Sequence, residues 1–267
     1  MKVSDLFSVK NKTVLITGGS RGIGLMMATG FVENGARVYI SSRSVDVCNK
    51  VAEELTSRGP GVCISLPADL QKMSDIEKLA ETVKNREPDG LDVLINNSGA
   101  ITAGPIDSYT KADFVKVLHL NLKSQSLNIC IIIFHGFIPL LEKKGTASNP
   151  SRIINIGSIA AIVAHDTIFA YSASKDGLHH LSKTMAISLG PHHVTVNFIA
   201  PGTFPSEMLG PVIQHFGEHI VNNNPLGRLG SAKDIAGISI YLASKAGSYV
   251  NGAVIVIDGG DSVGGKM

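Results

Sequence analysis

Three features of the 267-residue chain predict an α/β protein built on one parallel sheet. Short β-branched runs alternate with helical patterns along its length, and the runs are apolar at consecutive positions. Most of the 28 glycines sit at the ends of those runs, where strands hand over to helices.

The strand-like runs are Thr13 to Thr17, Arg37 to Ser41, Val62 to Leu66, Val93 to Asn96, Ile153 to Ile156, Thr195 to Ile199 and Ala253 to Ile257. Helical patterns fall between them at Ile23 to Asn34, Val45 to Ser57, Ser74 to Arg86, Ala112 to Leu141, Ala170 to Leu189 and Ala232 to Ala243. The fourth of these is expected to kink or break late. Val14, Leu15 and Ile16, like Val93, Leu94 and Ile95, leave no polar face. Such strands need cover on both sides. Right-handed crossovers then give a single-domain Rossmann fold, a doubly wound seven-stranded parallel sheet flanked by helices. Ligands of such a sheet bind beyond the carboxyl ends of the strands, so the residues just after each run carry the chemistry.

Composition narrows the function classes. Apolar residues make up 44% and charged residues 17%, which excludes a disordered chain. The 24 basic against 22 acidic residues leave a charge of +2, too little for a stripe gripping nucleic acid. Cys48, Cys63 and Cys130 are odd in number and show no C-x-x-C, so buried free thiols are expected rather than disulfides or a zinc ribbon. Met1 to Lys12 carries four charged residues and no apolar core of signal-peptide length, which points to the cytoplasm. The terminal Gly264, Gly265, Lys266 and Met267 are not a peroxisomal ending. The apolar stretch Leu127 to Leu141 is interrupted by His135, Gly136 and Pro139 and is shorter than the roughly 20 residues a bilayer requires. It is expected to be a buried or interfacial helix.

After the first strand, Thr17 to Gly24 reads T-G-G-S-R-G-I-G. Glycines let the backbone turn tightly and approach a pyrophosphate, whose charge is favoured at a helix N-terminus. A ligand-free βα turn uses glycines too, but this one opens a helix, and the second strand ends about 20 residues later, where dinucleotide folds read the ribose. That second end carries Ser41, Ser42 and Arg43 in place of a carboxylate. Arg43, with Arg21, would pair with a 2′-phosphate, so NADP is favoured over NAD.

Tyr171 and Lys175 form a Y-x-x-x-K, with Ser158 thirteen residues before the tyrosine. At i and i+4 the phenol and ammonium share one helix face, and the cation is expected to lower the phenol pKa by about 1 to 3 units. Ser158 can donate to a carbonyl oxygen.

With these motifs in order, the sequence resembles the short-chain dehydrogenase/reductase family from Lys12 to Asp261. The shared elements are Thr17 to Gly24, the N-N-A-G element at Asn96 to Gly99, Asn121, and Ser158, Tyr171 and Lys175. Asp69 and Leu70 match the adenine-contacting pair, and Pro201, Gly202 and Ser206 match P-G-x-x-x-T. Ser98 and Ser206 depart from the usual alanine and threonine. The resemblance implies hydride transfer between nicotinamide and a carbonyl carbon, with Ser158, Tyr171, Lys175 and Asn121 as the catalytic set. Cofactor contacts would come from Gly18, Ser20, Arg21, Gly22, Ile23, Gly24, Ser42, Arg43, Asp69, Leu70, Asn97, Ser98, Gly99, Tyr171, Lys175, Pro201, Gly202, Phe204 and Ser206. A subunit that binds NADP without catalysis would be expected to have lost the tyrosine or lysine.

His215 to His219 fits the zinc pattern H-x-x-E-H, yet Gly217 weakens the helix that would present both imidazoles, and no metal is expected. The segment lies in a substrate lid at about 203 to 224. Phe204, Met208, Leu209, Val212 and Phe216 make that lid apolar, which suits an acyl or alkyl ketone. Pro201 to Met208 also resembles the P-G-x-F-P-S-x-M of rhamnolipid-type 3-oxoacyl reductases and gluconate 5-dehydrogenase relatives. A 3-oxoacyl thioester is the leading substrate and a sugar acid or polyol the alternative. Apolar surface on Leu118 to Phe134 and on Ala170 to Leu189, together with the strand Ala253 to Ile257, predicts a homotetramer.

Overall fold

A computed structural model describes residues 2–118, 121 and 136–264. Seven parallel strands form one sheet in the order β3-β2-β1-β4-β5-β6-β7. They are β1 (Thr13–Thr17), β2 (Arg37–Ser41), β3 (Val62–Ser65), β4 (Val93–Asn96), β5 (Ser151–Ile156), β6 (Val194–Pro201) and β7 (Val254–Ile257). The helices are α1 (Val3–Leu6), α2 (Gly22–Glu33), α3 (Val45–Arg58), α4 (Met73–Arg86), α5 (Lys111–Leu118), α6 (Ile138–Lys144), α7 (Phe169–Leu189), α8 (Gly210–Asn223) and α9 (Ala232–Ala243).

The unbroken apolar runs become fully buried strands because each feeds two cores. Successive side chains leave a strand on opposite faces. Val14, Ile16, Val93 and Ile95 accordingly join Met27, Phe31 and Leu242 on one face. Leu15 and Leu94 join Val83, Leu141 and Leu178 on the other. Strand β7 closes one edge of the sheet and is only partly buried, with Val256 exposed. The strand order reverses between β1 and β4, so a crevice opens beyond their carboxyl ends.

The expected elements form with small shifts at their ends. Strand β6 runs on to Pro201, whose missing N–H is tolerated at a strand terminus. Two elements were not expected from the sequence. One is the single turn α1. The other is α8, which forms across Gly217 because a lone glycine in a helix costs only about 1 kcal/mol and Pro211 presets the first turn. Of the pattern Ala112 to Leu141, the two ends are α5 and α6. The stretch between them, including Cys130 and Ile129 to Phe134, lies outside the described residues apart from Asn121, Gly136 and Phe137. Cys48 and Cys63 are buried free thiols, and burial pushes Cys63 up to about 12. Among the described residues no helix is long and apolar enough to cross a membrane.

Candidate active site

The glycine turn is made by close contacts that only hydrogen side chains allow. Gly18 and Gly22 adopt φ of +65° and +53°. A Cβ on Gly24 would overlap the Gly18 carbonyl oxygen. The turn is held from the next strand: Asn97 Nδ2 donates to the carbonyls of Thr17 (2.9 Å) and Gly18 (3.2 Å). The Thr17 hydroxyl in return accepts from the backbone N–H groups of Asn97 (2.9 Å) and Ser98 (3.1 Å). Helix α2 then begins with no side chain capping its first N–H groups. Such an end attracts an anion.

A cleft of about 800 Å³ lies over this turn. Its walls include Gly18, Ser20, Arg21, Gly22 and Ile23, then Ser41, Ser42 and Arg43, then Asp69 and Leu70, then Asn97, Ser98 and Gly99. Ser44, Ala68, Ile156, Gly157, Tyr171, Lys175, Ser206, Glu207 and Met208 complete it. The buried hydroxyls of Ser20, Ser41 and Ser42 have no hydrogen-bond partner among the described residues. Buried polar groups are normally paired, and leaving one unpaired costs about 1 to 3 kcal/mol. Three such hydroxyls, beside a glycine turn and an uncapped helix, fit a ligand rich in acceptor oxygens, as a dinucleotide is. Arg43 is exposed at the same end and makes no hydrogen bond or ion pair among the described residues.

At the opposite end, Tyr171 and Lys175 share one face of α7, with the Lys175 Nζ 5.7 Å from the phenol ring centroid. Lys175 is buried and donates to the Ile156 carbonyl at the end of β5 (2.9 Å). Burial pushes the ammonium down to about 8. Burial also raises the Tyr171 phenol, and the Ser158 side chain pulls it back in part. The expected lowering of the phenol by Lys175 is therefore corrected: desolvation dominates, and the opposing effect comes from the Ser158 hydrogen bond. Ser158 caps a 3₁₀ turn, Ile159–Ala161, through its side-chain oxygen, which accepts from the Ala160 N–H (3.1 Å).

Asn121 is buried, and its side chain is fully engaged. Its Oδ1 accepts from Ala100 N (2.7 Å), and its Nδ2 donates to Ala100 O (2.7 Å) and to Ser174 Oγ (3.1 Å). The Ser174 hydroxyl donates to the Tyr171 carbonyl (2.6 Å), so Asn121 and α7 are joined. A Cβ on Gly99 would stand 3.4 Å from Asn121 Oδ1 and 3.6 Å from Lys175 Nζ, so both groups approach the same bare backbone position.

Four of the residues assigned to the cofactor do not line the cleft. Gly24 lies behind the turn, and Pro201 and Gly202 end β6, with Gly202 N donating to Ile257 O (3.0 Å). The Phe204 ring is 2% exposed, packed against Gly230 in the core, so as a side chain it is neither a lid residue nor a cofactor contact. Ser41 and Glu207 also line the cleft although the sequence reading assigned them no contact, and Met208, expected in the lid, lines it too. Ser41 could have been found as the last residue of its strand, whereas nothing in the sequence marks Glu207. His215 and His219 do stand one turn apart on α8, bonded to Pro211 O (2.7 Å) and Asn223 Nδ2 (2.8 Å). Among the described residues no three His, Cys, Asp or Glu side chains are grouped to hold a metal.

Comparison with known proteins agrees with this geometry. A family model described as Enoyl-(Acyl carrier protein) reductase matches residues 18–262. The rhamnolipids biosynthesis 3-oxoacyl-[acyl-carrier-protein] reductase of Pseudomonas aeruginosa is 39% identical over 95% of this chain and 97% of its own. The 5-keto-D-gluconate 5-reductase of Escherichia coli is 29% identical over 97% and 98%. Among solved structures, the Pseudomonas aeruginosa RhlG/NADP active-site complex superposes with a TM-score of 0.90, at 38% identity, covering 97% of this chain and 99% of that one. The chain belongs to the short-chain dehydrogenase/reductase family and is an oxidoreductase.

Proposed function

We propose that the protein is an NADPH-dependent carbonyl reductase whose preferred substrate is a 3-oxoacyl thioester or a similar apolar ketone. The observation that carries this reading is Tyr171 and Lys175 at one end of a cleft, with the Ser158 side chain bonded to the phenol, while the other end offers unpaired hydroxyls and Arg43. The glycine turn, Ser20, Ser42 and Arg43 would hold the adenosine half of NADP, and Lys175 the nicotinamide ribose. When bound, the reduced cofactor supplies the hydride that a ketone carbon accepts. Ser158 orients the ketone oxygen, and Tyr171 gives that oxygen its proton. Burial favours this role, because the raised phenol stays protonated at neutral pH. Lys175 stabilises the phenolate left behind, and Asn121 supports a water relay that returns the proton.

Relatedness to the rhamnolipid reductase and the exposed apolar Met208, Val212 and Phe216 of the lid favour an acyl chain. The similarity to 5-keto-D-gluconate 5-reductase supports a second reading, a keto-sugar acid. NADPH consumption against 3-oxoacyl esters, diketones and keto-sugar acids separates the two. Turnover of sugar acids alone would overturn the first reading. Arg43→Ala should erode the preference for NADPH over NADH by roughly ten- to a hundred-fold, the worth of a charge-assisted phosphate contact of about 1.5 to 3 kcal/mol. An unchanged preference would remove Arg43 from that role. Tetramer formation is part of the same proposal, supported by the exposed Val256 and Tyr249 along the β7 edge. A cytoplasmic setting belongs to the same proposal, supported by the buried, unpaired thiols of Cys48 and Cys63.

A further inference from the structure

Arg21 and Arg43 both line the nucleotide end of the cleft, but their surroundings differ. Arg43 has no acidic partner among the described residues, whereas the Arg21 guanidinium is ion-paired with Glu207, from the segment that leads into α8. Glu207 reaches the glycine turn because its neighbour is pinned there. A Cβ on Gly22 would meet Ser206 Cβ at 3.3 Å, and the Ser206 carbonyl (3.2 Å) and hydroxyl (3.3 Å) both accept from Leu209 N. The carboxylate therefore lines the same cleft as the Ser20, Ser41 and Ser42 hydroxyls, which have no partner among the described residues. A carboxylate and a phosphate compete for one guanidinium, since both take its forked N–H groups.

We infer that Glu207 is a specificity-determining residue. It holds Arg21 in the cofactor-free protein, and a 2′-phosphate must displace it before Arg21 can bind that phosphate. This rests on the NADP reading above. A cofactor without the 2′-phosphate leaves the Arg21 to Glu207 pair in place. Glu207 thus lowers affinity for NADPH selectively and narrows the gap between the two cofactors. Because both side chains are exposed, the pair is weak and the effect is a matter of a few-fold.

The test is calorimetric titration of the wild type, Glu207→Gln, Arg21→Ala and the double variant. The probes are NADPH and NADH, then adenosine 2′,5′-bisphosphate and 5′-AMP, none of which requires turnover. Glu207→Gln is expected to tighten NADPH and the bisphosphate by about two- to five-fold while NADH and 5′-AMP stay unchanged, and the gain is expected to vanish in the Arg21→Ala background. Equal weakening of both cofactors would make Glu207 a strap that retains any dinucleotide and would overturn the inference. So would a gain that survives Arg21→Ala, since the carboxylate would then repel the phosphate directly. An unchanged NADPH affinity in Glu207→Gln overturns it as well. A wild type that binds NADH and 5′-AMP more tightly than their phosphorylated counterparts would instead bring down the cofactor reading, and the inference with it.

Discussion

Helix α2, which follows the glycine turn of the cleft, buries Gly24, Met27, Ala28, Phe31 and Val32, while α8, which follows the cleft residues Ser206, Glu207 and Met208, buries none of its fourteen residues. The nucleotide wall is fixed by the core beneath it and by the Asn97 clamp, so its backbone has one arrangement. The segment 203–224, the proposed lid, is tied among the described residues by the exposed Arg21–Glu207 pair and near its ends, where Gly230 N donates to Thr203 O (3.0 Å) and Asn224 Nδ2 to Asp258 O (2.7 Å). A wall that meets the same nucleotide in every turnover benefits from rigidity. A wall that must admit a substrate and release a product needs few buried contacts. Tyr171 and Lys175 belong to the rigid side, since α7 buries Ala170, Ser174, Leu178 and Met185 around them.

The sharpest way to separate chemistry from both walls is Tyr171→Phe, which removes one oxygen and leaves the packing of α7 intact. Turnover is expected to fall about 10²- to 10⁴-fold, the range for a positioned proton donor, with cofactor affinity changed less than about three-fold. Steady-state kinetics with a fluorescence titration of NADPH checks both halves. Activity above a tenth of wild type would mean that another group delivers the proton.

Next in size is Gly24→Ala, a single methyl added to the rigid wall. Its Cβ would overlap the Gly18 carbonyl, and the Asn97 amide lies too close for the turn to yield without breaking its clamp. Overpacking of this kind costs about 1 to 3 kcal/mol, which should appear as lost cofactor affinity and a lower Tm together. A variant with wild-type affinity and Tm would show that the turn can relax, and the contrast between the walls would weaken.

A third test addresses the charge on the rigid side. Lys175 is held near a pKa of about 8, so it is a cation below that pH and loses its charge above it, while the raised Tyr171 phenol keeps its proton throughout. Ketone reduction measured as kcat/KM should be flat from pH 6 to 7 and fall about ten-fold per pH unit well above 8, as Lys175 ceases to stabilise the phenolate. A profile flat to pH 10 would disconnect Lys175 from the proton transfer.

The same division governs how much was legible in the sequence. Where geometry is strict the residues announce it: Gly18, Gly22 and Gly24 are required by φ or by contact, and consecutive apolar residues mark strands buried on both faces. The lid was read less well. Phe204 reads as its first apolar residue but is a core residue beneath Gly230, and Gly217, expected to weaken its helix, sits in the middle of fourteen helical residues. Both errors have one cause, since hydrophobicity reports that a side chain prefers burial and not which neighbour will bury it. The electrostatics were misjudged for a related reason. The i, i+4 spacing places Lys175 beside Tyr171, but their desolvation depends on the whole of α7 and the sheet. Glu207 reaches Arg21 across 186 positions of sequence, a distance no local pattern spans.

The smallest expected effect lies on the lid, at Phe216→Ala. Phe216 is 60% exposed, so its removal leaves no cavity, and alanine is the better helix former. Stability should stay within about 0.5 kcal/mol of wild type. If the lid folds its apolar face onto an acyl chain, part of that ring leaves water only when substrate binds. At about 25 cal/mol per Å², losing roughly 40 Å² of such contact amounts to about 1 kcal/mol, or a five-fold rise in KM. The rise should grow with acyl length among 3-oxoacyl substrates and be absent for a keto-sugar acid, which has no chain to cover. Cofactor affinity should not move, because the residue is remote from the nucleotide wall. A fall in Tm with no change in KM would reverse the assignment of the two walls, making α8 a structural element and leaving the acyl chain to be held elsewhere.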